Sequence, residues 1–357
     1  MFYRQAAIRH TRYQQDRQLW PLPFDRLLVI AAIGLLAIAP LVLPSLYVGT
    51  YLLPWLLWST AALGLNLLMG GAGQVHLGYA AVMAIGAYGS LHMVRAGLPF
   101  ELALLGGGVL SAAIGVMFGA AALRVKGLYL AISTLAMQYL VDYVIIHVPA
   151  ISGGTQATLQ APPVRLLGIA LKGDTAYYWF VLGVCMLVML FMLNVRRTSY
   201  GRALAAVREK DYAAEIIGVS TFRYKLSAFW VSSFVGGVAG ALFAFCYYKA
   251  VTPEQFHLEL SIQLLATVIV GGLGSVLGSF FGAALILLAP VVLNNLITGT
   301  AKALSLPVSA DVTAHAPLVL YGALIVGFLL FEPLGLAKIY DNLRNYFLVW
   351  PFRHARR

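Results

Sequence analysis

The sequence predicts an all-α protein: a polytopic bundle of about ten transmembrane helices (eight to ten), with both termini in the cytoplasm and short helices in one cytoplasmic loop. Of the 357 residues, 61% are hydrophobic and only 10% are charged, whereas about 25% of the residues of a soluble domain are charged. The apolar residues fall into blocks close to the ~20 residues that an α-helix needs to cross a bilayer. They lack the period-2 alternation of membrane β-barrel strands.

Ten apolar blocks qualify as candidate spans. The third, eighth and ninth are rich in glycine, and the eighth and ninth form one apolar run that glycines interrupt at 271–275, so a count of eight or nine stays open. In chain order the blocks cover 27–44, 50–69, 75–94, 101–123, 128–147, 177–195, 226–247, 258–273, 276–297 and 316–331.

The distribution of Lys and Arg predicts the orientation, because cytoplasmic segments of membrane proteins are enriched in them. With ten helices and the N-terminus inside, the inside segments contain 19 of the 24 Lys and Arg residues. These segments, around a membrane domain at 27–336, are an N-terminal arm (1–26), Arg124 with Lys126, a central loop (196–225) and a tail (337–357). The net charge of +11 then reflects topology and anionic membrane lipid, and we expect no nucleic-acid partner.

The 148–175 loop is a long connection expected on the outer face. Gly, Pro, Thr and Gln dominate it, as in turns and short re-entrant pieces. Because loops of this length are uncommon without a function, the segment is either a passive connection or a docking surface for a periplasmic partner.

The central loop is a polar segment of seven Lys/Arg and three acidic residues between two apolar blocks. Its apolar residues recur at helical spacing and predict two short helices. Asp211 is the predicted N-cap of the second helix, and Gly218 its C′ residue. A helix of about six residues is unstable alone. It therefore either lies on the lipid interface or inserts into a groove of a partner, with Tyr212 as an aromatic anchor.

Glycine spacing indicates close helix packing. Pairs and ladders four residues apart let helix backbones approach one another, and this sequence has three such sets: Gly115 with Gly119, Gly236 with Gly240, and Gly274 with Gly278 and Gly282. In addition, GGAGQVHLG at 70–78 resembles GGLGSVLG at 271–278. Each precedes a helix rich in small residues, so the pair is a candidate trace of the internal repeat found in many transporters.

Polar residues within the apolar blocks are candidates for a translocation pathway, because unsatisfied polar groups are costly in a membrane. Hydrogen bonding between helices is the alternative explanation. The candidates are Asn66, Gln74, Ser133, Thr134, Gln138, Asp142, Gln263 and Thr267.

The sequence lacks the motifs of an enzyme. It contains no nucleotide-binding loop, no H-E-x-x-H and no nucleophile elbow. Cys185 and Cys246 lie in apolar blocks and are expected to be small packed hydrophobes, without metal-ligand spacing. We therefore expect neither catalysis nor a cofactor or metal in this chain. Energy for uphill transport would come from another subunit or from an ion.

Several segments together resemble the permease subunits of bacterial ABC importers, in particular the LivM-like permeases of branched-chain amino acid systems. The resemblance covers roughly residues 50–336 in order and spacing. It is carried by GLNLL at 64–68 with the GGAGQ that follows, KGLYLAISTLA at 126–136, SGGT at 152–155, GRALAAVRE at 201–209, AAEIIGV at 213–219, RYKL at 223–226, VIVGGLGS at 268–275 and EPLGL at 332–336.

The resemblance implies a role for the central loop. In ABC importers a permease loop with A-A-x-x-x-G presents a coupling helix to a groove of the ATPase, and Ala213, Ala214 and Gly218 match that spacing. Tyr212 stands where many importers have Glu, so a salt bridge from that position is in doubt. The implied coupling residues are Gly201, Arg202, Leu204, Val207, Arg208, Glu209, Tyr212, Ala213, Ala214, Ile217 and Gly218.

The resemblance also implies the complex: this chain, a LivH-like second permease, two ATPase subunits that bind ATP and Mg²⁺, and a periplasmic solute-binding protein, in the bacterial inner membrane. The implied solute is a branched-chain amino acid, with urea, short amides or aromatic acids as alternatives within the same class. An ion-coupled secondary transporter is the alternative class, with Asp142 as its best coupling residue. A membrane enzyme and a scaffold without transport are the remaining alternatives.

Overall fold

The computed structural model of the chain describes residues 23–123, 128–154, 157–166, 168–304, 310–332 and 334–349. Four features named above lie outside the described residues: the N-terminal arm up to residue 22, Arg124 with Lys126, Thr155, and the end of the tail from residue 350. The described chain is built mainly of α-helices, which confirms the predicted all-α class.

The helices of the described chain follow one another with short connections. In order they are α1 (Pro23–Val42), α2 (Ser45–Gly71), α3 (Tyr79–Arg95), α4 (Phe100–Ala122), α5 (Leu128–His147), α6 (Pro149–Ser152), α7 (Asp174–Arg197), α8 (Ser199–Glu209), α9 (Asp211–Ile216), α10 (Thr221–Tyr248), α11 (Leu258–Gly271), α12 (Val276–Leu304), α13 (Ala310–Phe331) and α14 (Gly335–Val349). Wider π-helical turns occur within α2, at Val48–Leu52 and Leu67–Gly71, and end α10 at Phe243–Tyr248.

Four short strands lie at one end of the bundle. β1 (Leu159–Gln160) pairs antiparallel with β4 (Ala250–Val251), and β2 (Arg165–Leu166) pairs antiparallel with β3 (Ile169–Ala170). A 3₁₀ turn at Pro253–Phe256 follows β4, opened by a capping box between Thr252 and Gln255.

Each of the ten apolar blocks corresponds to a helix, but the predicted count of ten spans is not confirmed. Within the described residues, α2, α4, α5, α7, α10 and α12 are long and apolar enough to cross a membrane. The pair α13 and α14, bent by 46°, would supply a seventh span. The helices α3 and α11 have only 17 and 14 residues, because a non-helical segment takes up the start of one block and the end of the other. The class of polytopic helical membrane protein is thus established, and ten spans stays a prediction.

Two helices form the centre of the bundle. In an 18-residue apolar stretch of each helix, 89% of the residues of α2 and 83% of those of α10 are buried, against 39–44% in the other four long helices. The side chains on the outer helices that remain exposed are largely apolar, including Tyr139 and Leu187. This distribution is typical of a bundle whose periphery faces lipid or another membrane subunit.

Glycines allow α3, α4 and α10 to meet backbone to backbone. A Cβ at Gly86 of α3 would collide with the backbone of Gly237 on α10, and a Cβ at Gly240 would collide with the carbonyl oxygen of Met83. On α4, Gly115 faces Ser233 of α10, and Gly119 faces Phe229 of the same helix. Gly236 of α10 faces Tyr79 of α3. On α12, Gly278 and Gly282 both face Gly271 of α11. Six of the seven glycines singled out from the sequence therefore lie against a neighbouring helix.

Gly274 differs from the expected ladder. It precedes α12, which begins at Val276, and its φ of +79° places it in a turn. Only Gly278 and Gly282 share the helix face. The spacing of four residues is therefore accidental at Gly274, whose left-handed backbone conformation is the reason for glycine there.

Candidate functional site

The central loop folds into the two short helices that the sequence predicts, α8 and α9. Thr198 caps α8, its Oγ1 accepting a hydrogen bond from the Gly201 N–H (3.4 Å). α9 has six residues and ends in a Schellman motif: Val219 N donates to Ala214 O (2.9 Å), Gly218 N donates to Glu215 O (3.0 Å), and Gly218 has a φ of +85°. Gly218 is thus the C′ residue.

The predicted N-cap of α9 is wrong. Lys210 occupies the N-cap position without a side-chain cap, and Asp211 is the first helical residue. The Asp211 carboxylate instead pairs with Lys225 Nζ of α10 at 2.5 Å. The Asp211 carboxylate therefore binds Lys225, 14 residues away, and not the backbone N–H groups at the start of α9. The reason is that the Lys225 ammonium is mostly buried and needs a counter-charge.

The two helices of the central loop bury one face and expose another. Leu204, Val207 and Ala214 are buried against the bundle. On α9 and the residue after it, the side chains of Tyr212, Ile216 and Ile217 are 78%, 77% and 74% exposed. The exposed apolar surface of a helix this short, beyond the end of the bundle, is typical of a contact that another protein covers.

Contacts to α10 fix the loop in place. Besides the Asp211–Lys225 pair, Thr221 Oγ1 donates to the Glu215 carboxylate. The Tyr200 hydroxyl hydrogen-bonds Ser227 Oγ at 2.9 Å, and burial raises the pKa of Tyr200 above its ordinary value. These bonds hold α9 as a rigid projection, although a helix of six residues is not stable alone.

The two glycine-rich segments that resemble each other both interrupt the helical bundle. We call residues 70–78, which include the last two residues of α2, the first break, and residues 272–275 the second break. The first break runs from the end of α2 to α3 and buries His76 against Tyr79 and Phe229. The two breaks meet, since a Cβ at Gly70 would collide with the backbone N of Gly274.

Side chains from two other helices satisfy the backbone of the first break. Leu77 N donates to Thr134 Oγ1 (3.0 Å), Ala80 N to Ser261 Oγ (2.8 Å) and Ala81 N to Gln138 Oε1 (2.8 Å). The N-cap of α3 is Gly78, which has no side chain to cap the helix. The free N–H groups at the start of α3 are thereby paired from α5 and α11.

The second break depends on one side chain of α2. Asn66 Oδ1 accepts from Gly274 N (2.6 Å), and Asn66 Nδ2 donates to Ser275 O (2.8 Å) and Ser279 Oγ (2.9 Å). Ser275 also acts as a local N-cap of α12, accepting from Gly278 N at 3.1 Å. The buried Asn66 amide thus closes this turn together with the backbone bond from Ser275 N to Gly272 O (3.2 Å).

Arg208, in the last turn of α8, touches both breaks. Its Nη1 donates to the carbonyl oxygen of Gly70 at 2.8 Å, and its Nη2 pairs with Glu209 at 2.6 Å. A Cβ at Gly73 would lie 2.9 Å from Arg208 Cγ, and one at Gly274 would lie 3.4 Å from Nη1.

The structure shows several of the predicted pathway residues in hydrogen bonds within the bundle. Thr134 and Asn66 pair backbone N–H groups of the breaks, and Gln138 pairs Ala81 N at the start of α3. Thr267 Oγ1 donates to Gln263 O of its own helix. In the part of the chain that the structure describes, the eight residues do not line one common cavity. Asn66 borders a cavity of about 250 Å³ beneath α8, and Gln74 borders one of about 580 Å³ between the first break and the central loop.

Asp142 forms a polar cluster near the end of the bundle opposite the central loop. Its Oδ1 accepts from Gln138 Nε2 (3.0 Å), and its Oδ2 lies 3.8 Å from His257 Nδ1. Ser133 is half-buried on the same helix. No group of three or more His, Cys, Asp or Glu side chains in the described ranges is placed to hold a metal ion.

The 148–175 loop covers that same end. β1 pairs with β4 after α10, Arg95 Nη2 donates to Gln160 O (3.0 Å), and His92 Nε2 lies 2.7 Å from Ile151 O. Its described part is therefore tied to α3 and α10 by defined contacts and forms a cap on this end of the bundle.

Two residues of this site were not singled out from the sequence. Ser275 had a readable signal, because a serine directly before a helical block is a typical N-cap. Ser261 had none, because its partner Ala80 lies 181 positions away in the chain.

Comparisons with known proteins agree with the architecture. The chain matches the model of the family described as "Branched-chain amino acid transport system / permease component" over residues 47–329. It is 33% identical over 251 residues to the high-affinity branched-chain amino acid transport system permease protein LivM of Salmonella typhimurium, covering 64% of this chain and 59% of LivM. The matched stretch thus spans about three fifths of that relative.

Two further relatives extend the comparison. A probable LivM of Methanocaldococcus jannaschii is 23% identical over 66% of this chain and 67% of its own length. The permease LivH of Escherichia coli is 27% identical over 161 residues, 45% of this chain and 46% of LivH. Because the family model matches most of the chain, this protein belongs to the family of permease components of branched-chain amino acid transport systems.

Proposed function

We propose that this chain is one of two permease subunits of an ATP-driven ABC importer in the bacterial inner membrane. It passes a branched-chain amino acid through the membrane and leaves ATP hydrolysis to partner subunits. Family membership and the names of the LivM relatives support this assignment.

The observation that carries the proposal is the form of α9. This six-residue helix and the residue after it present Tyr212, Ile216 and Ile217 to solvent, and the Asp211–Lys225 pair fixes the start of the helix. A rigid apolar projection of this size fits a groove in a globular partner, and the ATPase subunit is the partner that such an importer requires. Closure of the ATPase pair on ATP then moves α8 and α9 and, through them, the bundle.

The orientation places the central loop and both termini in the cytoplasm. It is supported by the 19 of 24 Lys and Arg residues that fall on that side with ten spans. The 148–175 loop then faces the periplasm, where its folded cap is the surface on which a solute-binding protein docks.

The second permease is a LivH-like chain. The similarity of this chain to LivH supports a pair of related subunits that pack side by side. The exposed apolar faces of the outer helices supply area for that contact, and lipid covers the remainder.

The solute is a small neutral or zwitterionic molecule. The relatives are named as branched-chain amino acid transport permeases, which favours leucine, isoleucine and valine. Urea, short amides and aromatic acids are the alternatives within the class. Screening ligands against the binding protein that co-purifies with the complex identifies the solute.

The proposal is tested by Ile216→Asp, with Ile169→Asp as the matched control. Both isoleucines are exposed, 77% and 72%, but Ile169 lies at the opposite end of the bundle in β3. Tagged chains are purified from native membranes, and bound subunits are identified by mass spectrometry. We expect the wild type and Ile169→Asp to retain an ATPase and a second permease, and Ile216→Asp to lose the ATPase alone.

Recovery of the wild-type chain without an ATPase, in detergents that preserve other complexes, contradicts the proposal. That result would favour the alternative hypothesis of an ion-coupled transporter. The structural observation behind this alternative is the contact between Asp142 and His257 at 3.8 Å. Its own test is uptake after collapse of the proton gradient at constant ATP. Loss of uptake under that condition supports ion coupling.

A further inference from the structure

Arg208 occupies an unusual place among the basic residues of the central loop. The neighbouring Arg202 on α8 bonds only near its own helix, with Arg197 O at 3.3 Å and Ser199 Oγ at 3.0 Å. Arg208 instead reaches across 138 positions of sequence to the carbonyl oxygen of Gly70 at the end of α2. A positive charge that served only membrane topology would need no such partner.

The backbone around Arg208 leaves room for its side chain. Gly73 has a φ of +68°, and a Cβ there would lie 2.9 Å from Arg208 Cγ. Gly274, with a φ of +79°, would bring a Cβ to within 3.4 Å of Nη1. The arginine thus passes between two glycines, one in each break.

The guanidinium is suited to this contact in a way that an ammonium is not. Its two terminal nitrogens are fixed in one plane, so Nη1 reaches Gly70 O while Nη2 pairs with Glu209 on α8. The same group is therefore bound to the loop and to the bundle at once. Lysine carries the charge but lacks the fork that engages both.

The contact continues into the membrane helices. Gly70 packs directly on Gly274, and Asn66 ties Gly274 to α2. The first break leads into α3, and the second break leads into α12. A displacement of α8 would therefore act, through the contact of Arg208 with Gly70 and Gly274, on the segments that lead into α3 and α12.

We propose that Arg208 is the positioning residue that transmits movement of the central loop to the two breaks. The inference rests on the proposed function, because the movement comes from the ATPase partner. Without Arg208 the ATPase still docks on α9 and hydrolyses ATP, but the breaks no longer follow the loop.

The test uses the whole complex reconstituted in proteoliposomes, with [³H]leucine uptake and phosphate release measured together. In Arg208→Ala we expect assembly to persist, ATP hydrolysis to stay within twofold of wild type, and leucine transported per ATP to fall at least tenfold. Arg208→Lys should fall between the two, and Arg223→Ala, which removes the same charge from an exposed position of the central loop, should match wild type.

A spectroscopic readout separates transmission from mere stability. Val75 lies on the first break and is 42% exposed, so Val75→Cys accepts a spin label in a Cys185→Ala/Cys246→Ala background. Trapping with ATP and vanadate should change the line shape in the otherwise wild-type chain. The change should be absent in Arg208→Ala although the ATPase remains bound.

Three results overturn the inference. They are unchanged leucine per ATP in Arg208→Ala, an equal fall in Arg223→Ala, and a line shape that still responds to nucleotide in Arg208→Ala. Should Arg208→Ala fail to assemble, Arg208→Lys decides by its leucine per ATP, a fall with ATP hydrolysis intact supporting the inference and a wild-type value overturning it. A wild-type chain that binds no ATPase overturns the proposed function as well.

Discussion

The first and second breaks have similar sequences, yet the molecule supports them in different ways. The first break is capped by Gly78 and takes its hydrogen-bond acceptors from Thr134, Gln138 and Ser261 on two other helices. The second break has a local cap in Ser275 and a backbone bond from Ser275 N to Gly272 O, and Asn66 is the side chain from another helix that supports it. In both, backbone N–H groups away from water must find a partner.

The two breaks differ in how many of their hydrogen bonds depend on a single side chain. At the first break the task is distributed over three residues, so each loss leaves the other bonds in place. At the second break both an acceptor and two donor bonds belong to one amide. We therefore expect single substitutions to be more damaging at the second break, and the most damaging where the two breaks touch.

The largest effect is expected for Gly70→Ala. Its Cβ would collide with the backbone N of Gly274 and with Asn66 Oδ1, and neither has room to move. We expect a loss of about 3 kcal/mol or more in the free energy of unfolding, measured by unfolding in mixed detergent micelles. Gly71→Ala is the control, because its Cβ meets only Leu67 Cδ1 at 3.5 Å. Equal stability of the two variants would contradict the contact between the breaks.

A somewhat smaller loss is expected for Asn66→Leu, which keeps the size of the side chain but leaves Gly274 N without an acceptor, whereas Ser275 O keeps its bond from Ser279 N (3.3 Å). A buried group without a partner costs about 1–3 kcal/mol, and the two bonds that Asn66 donates are also lost, so we expect about 2–3 kcal/mol in the same unfolding assay. Asn295→Leu, at an exposed position on α12, should be nearly neutral. A loss at Asn66 no larger than at Asn295 would show that the second break is supported elsewhere.

At the first break, Thr134→Val should cost only about 1 kcal/mol, because one N–H loses its acceptor. Thr134→Val combined with Ser261→Ala should cost about the sum, since the two hydroxyls serve different N–H groups. Thr267→Val is the control, because that hydroxyl bonds only Gln263 O of its own helix. If Thr134→Val lowered the free energy of unfolding as much as Asn66→Leu, the second break would not depend more on a single side chain than the first break does.

The smallest effect is expected for Gln74→Leu. Its Nε2 donates to the nearby Ala72 O at 2.9 Å, on the half-exposed side of the first break where water replaces the bond. The free energy of unfolding should change by less than about 0.5 kcal/mol. A fall in leucine uptake without loss of stability would then mark the cavity beside Gln74 as part of the pathway, and a large loss of stability would assign the residue to the support of the break.

These two regions also show what the sequence could predict. Local signals were sufficient for α8, α9 and the turn at Gly218, because helical spacing and a C′ glycine act within a few residues. They failed at Asp211, where a tertiary ion pair took the side chain from its expected cap. Local patterns also located the apolar blocks, but not the short length of α3, because the acceptors that allow its late start come from other helices.

The polar residues inside the apolar blocks were harder to interpret. A threonine that pairs a broken helix and a threonine that lines a pathway have the same sequence signature. Thr134 and Leu77 are 57 positions apart, and Asn66 and Ser275 are 209 apart. Only the three-dimensional arrangement shows that three of the eight candidates serve the backbone of the breaks.

The direct backbone packing of α3, α4 and α10 has a mechanical consequence. Where Gly86 faces Gly237 and Gly240 faces Met83 O, the helix backbones are in direct contact, with no side chains between them. Sliding one helix by a single residue, about 1.5 Å, would press a Cβ into a carbonyl. The close backbone contacts therefore oppose sliding between these helices, and we expect the three helices to move together.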